Sequence, residues 1–260
     1  MTRVLVTNDD GVESAGIRAL AGVGVDAGLE VVVAAPTWDS SGASASLTAV
    51  EEDGRLLLDR RRFDELPDVP VFAVEAAPAF IVRAGLRGAF GEPPNVVLSG
   101  VNVGANTGTA VLHSGTVGAV LTAATHGCRG LAVSIATGGP LHWATAAAFA
   151  RPALEWLLGA GERVALNLNV PNLPQDRVEG LVRAHLSAAG VVQTTVTELG
   201  KGYVKLSYTE GDGAAEPGSD MALLAAGFAC VTPLLAPCEA RHVDVAGLAA
   251  DPDRVAGPTR

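Results

Sequence analysis

Two short β-branched apolar runs, Arg3–Thr7 and Glu30–Ala35, flank a single helical pattern, and that spacing constrains the fold more than any other feature of the chain. Ile17, Leu20, Ala21 and Val23 to Val25 supply the helix, Gly28 closes it, and Pro36 ends the second run. Strand, helix and strand in such close succession read as a βαβ unit, with parallel strands, a right-handed crossover and ligands at the carboxyl ends of the strands. Val69–Val74, flanking an Arg-rich turn with a further expected strand at Val50–Leu58 as an extension beside the main sheet, then Asn95–Leu98, Leu131–Ile135 and Val164–Val170 continue the pattern, alternating with helices expected from Pro78 toward Phe90, in an alanine-rich stretch to about His126, and over Trp143–Leu158. The fold class is therefore α/β with a mostly parallel sheet, which Val164–Val170 is expected to close.

The first strand stops at Asn8-Asp9-Asp10-Gly11. Neighbouring side chains of a regular strand point to opposite faces, so Asp9 and Asp10 converge only if the backbone has left the strand, and Gly11 permits that turn. Two adjacent carboxylates repel one another, and a hard divalent cation with oxygen ligands is the usual way to neutralise them. The alternative is local: Asp10 or Ser14 simply caps a helix that begins near Ala15.

Three further stretches belong at the same edge of such a sheet. Residues 36–48 are dense in small hydroxyl residues, which fits either a plain surface loop or a source of oxygen and N–H groups for a metal or phosphate. Residues 99–108 interrupt the fourth apolar run with glycines at 100, 104 and 108. Ser114-Gly115-Thr116 then opens an alanine-rich helix, offering N–H groups to an anion or a mere cap from Ser114 or Thr116.

Beyond Pro171 the residues alternate. Gly180–Leu186, Val191–Thr197 and Tyr203–Tyr208 read as an antiparallel arm, followed by a short helix at Asp220–Ala226, a last strand at Cys230–Leu234 and a frayed tail. The expected organisation is a core over 1–171, an arm with a returning helix and strand over 172–246, and a flexible tail over 247–260. A formal net charge of −10, with Arg60-Arg61-Arg62 as the one basic run, argues against a nucleic-acid polymer as partner. Arg60–Arg62 reads instead as a solvated turn or strand edge. Cys128, Cys230 and Cys238 have neither zinc-site spacing nor an even count, which points to a reducing compartment. No basic region with an apolar signal core opens the chain, and no apolar run suits a bilayer, so a soluble cytoplasmic protein with no membrane partner is expected. His126, His142, His185 and His242 lack the spacing of a metal triad, and no phosphate-loop, dinucleotide or nucleophile-elbow motif is present.

Four blocks in order resemble the SurE family, the survival-protein 5′-nucleotidases: Val6-Thr7-Asn8-Asp9-Asp10-Gly11; Ala35-Pro36 with Ser41-Gly42-Ala43-Ser44 and Ser46-Leu47-Thr48; Ser99-Gly100-Val101-Asn102 with Gly104 and Asn106; and His113-Ser114-Gly115-Thr116-Val117-Gly118. Ala132-Val133-Ser134, Asn167-Leu168-Asn169-Val170-Pro171 and Thr232-Pro233-Leu234 are weaker echoes. The resemblance implies a Rossmann-like three-layer core and a C-terminal β arm that makes a homodimer or homotetramer. It also implies a phosphomonoesterase acting on nucleoside 5′-monophosphates, with 3′-monophosphates as further substrates. By position it puts one divalent cation, Mg²⁺ or Mn²⁺, on Asp9, Asp10, Ser41 and Asn102. It puts the phosphate among Asn8, Asn106, Ser114, Gly115 and Thr116, with Asp9 and Asn8 as catalytic residues.

The chain departs from the family pattern at Ala76-Ala77-Pro78-Ala79-Phe80-Ile81, where Gly-Thr-Pro-Ala-Asp-Cys is usual. It departs again at Ser40, His113 and Thr122, where arginine, tyrosine and an acidic residue are usual. These changes keep two alternatives open: a phosphatase specialised for another small phosphate ester, and a non-catalytic phosphate or nucleotide sensor. A haloacid-dehalogenase type of phosphatase is disfavoured, because the first strand is not followed by Asp-x-Asp.

Overall fold

The computed structural model describes residues 2–161, 163–188, 192–200, 203–210 and 216–235, with 192–200 and 203–210 described chiefly by their backbone. The expected 247–260 tail, with Cys238 and His242, lies outside the described residues.

β1 (Arg3–Thr7), α1 (Ala15–Asp26) and β2 (Glu30–Pro36) form the expected βαβ unit, with Val4 paired to Val31 and Val6 to Val33 in parallel register. Ser14 caps α1, its hydroxyl accepting the N–H of Ile17, so the capping alternative for that residue is realised. The expected strand at Val50–Leu58 is broken into β3 (Glu51–Glu52), β4 (Arg55–Leu56) and β5 (Leu58–Arg61), and only β5 joins the main sheet. Arg60 and Arg61 thus sit on an exposed edge strand, where charge discourages pairing with other chains.

β6 (Val71–Val74) follows, and α2 (Pro78–Gly85) starts at Pro78 because the missing N–H costs nothing in a first helical turn. α2 stops short of Phe90. β7 (Val96–Val103) runs on through the glycine-rich stretch instead of breaking at Ser99, with a register shift against its neighbour between Ser99 and Asn102. A 3₁₀ turn over Thr109–His113 leads into α3 (Gly115–Thr125), then β8 (Arg129–Ile135), α4 (Trp143–Gly159) and β9 (Ala165–Val170).

β9 does not close the sheet. β10 (Leu181–Arg183), expected in the arm, lies parallel to the last strand β13 (Ala229–Leu234), and β13 pairs antiparallel with β9. The arm is therefore β11 (Val192–Gly200) with β12 (Tyr203–Glu210), paired to each other and to no strand of the main sheet; α5 (Asp220–Ala225) precedes β13.

The nine strands run β10-β13-β9-β8-β7-β1-β2-β6-β5. Side-chain alternation sorts the core into two halves. Val4, Val6, Leu98 and Leu131 pack with Ile17, Leu20, Leu154 and Leu157 of α1 and α4, while Leu5, Val32, Val97 and Ala132 pack with Ile81, Val82, Val117 and Val120 of α2 and α3. Each large apolar side chain buried this way contributes about 1.5–3 kcal/mol. The result is a three-layer α/β/α core. Chain progression goes outward from β1 through β2 on one side and from β7 through β8 on the other, so a crevice opens at the carboxyl ends of β1 and β7. Asp9 and Asp10 follow β1 and Asn102 lies near the end of β7, so both segments reach that crevice.

Among the described residues no helix is long and apolar enough to cross a membrane.

Candidate active site

Asn8 is fully buried, and its Nδ2 donates to the Gly11 carbonyl at 3.0 Å and to Ser14 Oγ at 2.7 Å. It therefore braces the turn after β1 and ties it to the cap of α1. Gly11 holds a φ of +96°, the left-handed region that the sequence required of it.

The turn delivers Asp9, 3% exposed, to the N-terminus of α3. Thr116 Oγ1 donates to Asp9 Oδ1 at 2.5 Å and Thr116 N to Oδ2 at 3.0 Å. A helix N-terminus has unpaired N–H groups and a positive field, so a carboxylate is well placed there. Gly115 is demanded by this approach, because a Cβ on it would lie 2.8 Å from Asp9 Oδ2. The Asp9 carbonyl accepts Ser40 N at 2.7 Å and Ser40 Oγ at 3.2 Å, which brings the hydroxyl-rich loop to the same point. That loop is pinned further on, where Ser44 N donates to the His113 carbonyl and Ser44 Oγ to the Leu112 carbonyl. Asp10 turns toward β7, and its Oδ2 accepts the N–H of Val103, next to Asn102, at 3.4 Å.

Burial pushes the Asp9 carboxyl above its ordinary range against the opposing effect of the Thr116 hydrogen bonds. Asp10 is pushed up to about 6, first by burial and then by the charges of Asp9 and Asp39. Asp39 is held below its ordinary value, because Ser41 Oγ and Ser41 N donate to it at 2.6 and 2.9 Å. Among the described residues neither Asp9 nor Asp10 enters an ion pair.

Two carboxylates disfavoured in their charged form, with no cation beside them, fit a bound divalent cation. The neutral donors suit one as well. The Ser41 hydroxyl donates its hydrogen bond to Asp39, which leaves the oxygen lone pairs free, and Asn102 Nδ2 donates to the Gly104 carbonyl at 2.6 Å, which leaves Oδ1 as an acceptor. No three His, Cys, Asp or Glu side chains gather among the described residues, so such a site rests on two carboxylates and neutral oxygens.

Of the residues singled out for a phosphate, Ser114 caps α3 by accepting the N–H of Val117 at 3.1 Å, Gly115 and Thr116 lie against Asp9, and Asn106 is buried at the turn beyond β7. The Asn8 side chain donates only within residues 8–14, and its buried Oδ1 accepts no hydrogen bond from the described residues. His113 is exposed, and Thr122 Oγ1 donates back to the Gly118 carbonyl. The altered Ala76–Ile81 segment touches the far end of the hydroxyl-rich loop, where Ala77 N donates to the Thr48 carbonyl at 2.9 Å. Sequence reasoning missed Asp39 and Asp220 as parts of this region and took Ser134, Asn167 and Asn169 as echoes only. The alternation Leu166-Asn167-Leu168-Asn169 in a buried strand was the available signal.

A family model described as Survival protein SurE matches residues 4–192. A 5′-nucleotidase SurE of Pseudomonas putida is 36% identical over 239 residues, covering 89% of this chain and 91% of that protein. One from Pseudomonas aeruginosa is 37% identical over 243 residues and one from Synechococcus 34% over 237, with 89% of this chain covered in both and 91% and 90% of those proteins. The crystal structure of the SurE protein from Aquifex aeolicus superposes with a TM-score of 0.75 at 29% identity, covering 95% of this chain and 98% of that one. The family model spans most of the chain, and the relatives and the solved structure cover about nine-tenths of it or more; on that footing the chain belongs to the SurE family.

Proposed function

We propose that the chain is a divalent-metal-dependent 5′-nucleotidase, which hydrolyses nucleoside 5′-monophosphates to nucleoside and phosphate and accepts 3′-monophosphates as well. The observation that carries this reading is the buried Asp9–Asp10 pair in the β1/β7 crevice, set against the N-terminus of α3 with no cation of its own. The named activity of the Pseudomonas and Synechococcus relatives agrees with it.

Asp9, Asp10, Ser41 Oγ and Asn102 Oδ1 would hold one Mg²⁺ or Mn²⁺. Bound there, the cation supplies a Lewis acid that polarises a phosphoryl oxygen and eases ionisation of a water. Thr116 fixes the rotamer of Asp9, so this carboxylate is aimed before substrate arrives and can orient the attacking water or take its proton. The Gly115 N–H at the start of α3 and the second N–H of the Asn106 side-chain amide would face the equatorial oxygens and stabilise charge that grows in the transition state, while the Thr116 N–H is spent on Asp9 and the Asn106 backbone N–H on Asn169. Asn8 keeps the Asp9-Asp10 turn rigid from below.

We infer a homodimer or homotetramer built through the β11–β12 arm. The hairpin adds to no strand of the main sheet, and a lone two-stranded hairpin is marginal in water. A cytoplasmic location accords with Cys128 and Cys230, both buried free thiols. A specialised phosphate-ester substrate is favoured over a nucleotide by the departures from the family pattern, chiefly the Ala76–Ile81 segment, whose contact with Thr48 gives that change a route to the loop, and Ser40, which bonds the Asp9 carbonyl.

Phosphate release from nucleoside 5′- and 3′-monophosphates, sugar phosphates and an aryl phosphate, with Mg²⁺, Mn²⁺ or chelator, tests the reading alongside Asp9→Asn. Metal-dependent release, highest on nucleoside 5′-monophosphates and lost in Asp9→Asn, is expected. A folded protein that binds metal and nucleotide without releasing phosphate would be a sensor instead.

A further inference from the structure

Asn106 and Gly108 are gripped by buried polar groups that the proposed chemistry leaves unused. The N–H of Asn106 donates to Asn169 Oδ1 at 2.8 Å, and its carbonyl accepts Asn167 Nδ2 at 2.7 Å and Asn169 Nδ2 at 3.0 Å. Its side-chain Nδ2 donates to Ser134 Oγ at 2.8 Å. Ser134, Asn167 and Asn169 are all fully buried, on the face of β8 and β9 that looks toward α3. Two residues on, Gly108 N donates to Asp220 Oδ2 at 2.8 Å. Asp220 is itself fully buried, and its Oδ1 accepts Ser187 N and Met221 N, both at 2.9 Å. Ser187 lies ahead of the β11–β12 hairpin and Asp220 beyond it, so one carboxylate ties both roots of the arm to the loop.

We propose that Ser134, Asn167, Asn169 and Asp220 form a positioning clamp. They never meet the substrate, but by holding the backbone of Asn106 and Gly108 they set where the Asn106 side-chain amide, with one N–H on Ser134, presents its second N–H to the phosphate. The inference rests on the phosphatase reading and deepens it. Burying amides and a carboxylate where the neighbouring positions hold Leu and Val costs desolvation, and apolar residues of similar volume would serve stability as well or better. What the polar set adds is direction. Its bonds converge on Asn106 and Gly108 and pin that loop from both sides, which is what charge stabilisation without reorganisation requires. A rigid loop also has its donors in place before the pentacoordinate phosphorus forms. It therefore favours the transition state over the ground state.

Two variants test the clamp. Ser134→Ala removes the acceptor of the Asn106 side chain and no backbone bond, and Asp220→Asn keeps volume but sets an NH₂ against an N–H donor. Binding of orthovanadate, a pentacoordinate phosphate mimic, is measured by calorimetry in Mn²⁺, beside kcat/KM, Mn²⁺ affinity and Tm. In both variants vanadate affinity and kcat/KM are expected to fall together, by about tenfold, while Mn²⁺ affinity stays within about twofold. A purely structural role would lower Tm and leave vanadate affinity and kcat/KM per folded molecule at the wild-type values, and that overturns the clamp. If Asp220→Asn does not fold, Ser134→Ala decides alone. Wild-type protein that binds vanadate but turns nothing over refutes the phosphatase reading while the variants still read the clamp. Wild-type protein that does neither refutes both.

Discussion

Gly115→Ala places the sharpest demand on the active-site geometry. The added Cβ would stand 2.8 Å from Asp9 Oδ2, 2.9 Å from Asp9 Cβ and 3.2 Å from Asp9 Cγ. Carbon atoms rest at about 3.5–4.0 Å from one another, so relief needs a shift of roughly 0.6–1 Å. Rotation of the Asp9 carboxyl frees Oδ2 but not Cβ, which is fixed to the β1 turn, so the first turn of α3 must retreat. Both Thr116 hydrogen bonds then lengthen. Overpacking of this kind costs about 1–3 kcal/mol, set against a gain of up to about 1 kcal/mol for alanine over glycine in a helix. A net loss of roughly 0–3 kcal/mol lowers Tm by no more than about 12 °C in a protein of this size. Activity should suffer far more, because misplacing a catalytic group by about 1 Å costs on the order of 100-fold in rate. Phosphate release per folded site and calorimetric Tm, measured together, check this. A Gly115→Ala protein whose kcat lies within about twofold of wild type would refute the claim that Asp9 works from its contact with α3.

Gly22→Ala is the matching control: a Cβ there meets nothing within 4 Å, so a gain of about 0.5–1 kcal/mol with unchanged activity is expected from thermal unfolding and kinetics. Gly118→Ala drives a Cβ to 2.5 Å from Ser44 C and O and 2.7 Å from Ala45 N, all backbone, so the loop that carries Ser41 must lift; Mn²⁺ affinity should drop by about tenfold or more, and an unchanged affinity would separate that loop from the metal. Thr116→Val removes the hydroxyl that lowers the Asp9 pKa, so the pH midpoint of Mn²⁺ binding should move upward, and a midpoint that stays or falls would contradict the assigned contact. Asp10 titrates near 6 in the metal-free fold against an ordinary 3.8, so its carboxyl favours the folded state at low pH and that contribution disappears as pH rises through about 6. The rise corresponds to about 3 kcal/mol if taken whole and roughly 1–2 kcal/mol once its partial exposure is allowed for. Stabilisation by Mn²⁺ should accordingly be large at pH 7.5 and nearly absent at pH 4.5, and equal shifts in Tm at both would show that Asp10 does not hold the cation.

The parallel core was legible because its information is local. A strand buried on both faces announces itself as an unbroken β-branched run, and the stops at Asn8, Pro36 and Gly28 mark where each element ends. What failed to read locally was decided at long range. Three residues, Leu181–Arg183, are too few to declare a partner, and they join the sheet only because β13 offers them an edge. Glycine at position 100 suggested a break in the fourth run; instead β7 absorbs it through a register shift and keeps pairing as far as Val103. The hydroxyl-rich loop was open between surface and site until its anchors were seen, and those anchors, the Asp9 carbonyl, His113 and Leu112, all lie far from it in the chain.

The same contrast separates the two shells of the candidate site. Groups that face the crevice must stand at strand ends and helix starts, positions that leave a sequence mark: Asp9-Asp10-Gly11 after an apolar run, Ser114-Gly115-Thr116 before an alanine-rich one. The groups that hold them are bound by no such rule. Asn169 reaches Asn106 across 63 positions and Asp220 reaches Gly108 across 112, so neither has a neighbour in sequence that hints at its partner. Asn169 sits where a strand would otherwise bury an apolar side chain, and that conflict with local preference is the mark it leaves, whereas Asp220 opens α5, where an acidic residue is favoured, and leaves none. A polar residue in a strand that is apolar on both sides, such as Asn167 or Asn169, is therefore better read as a question about which distant backbone it serves than as an irregularity of the core.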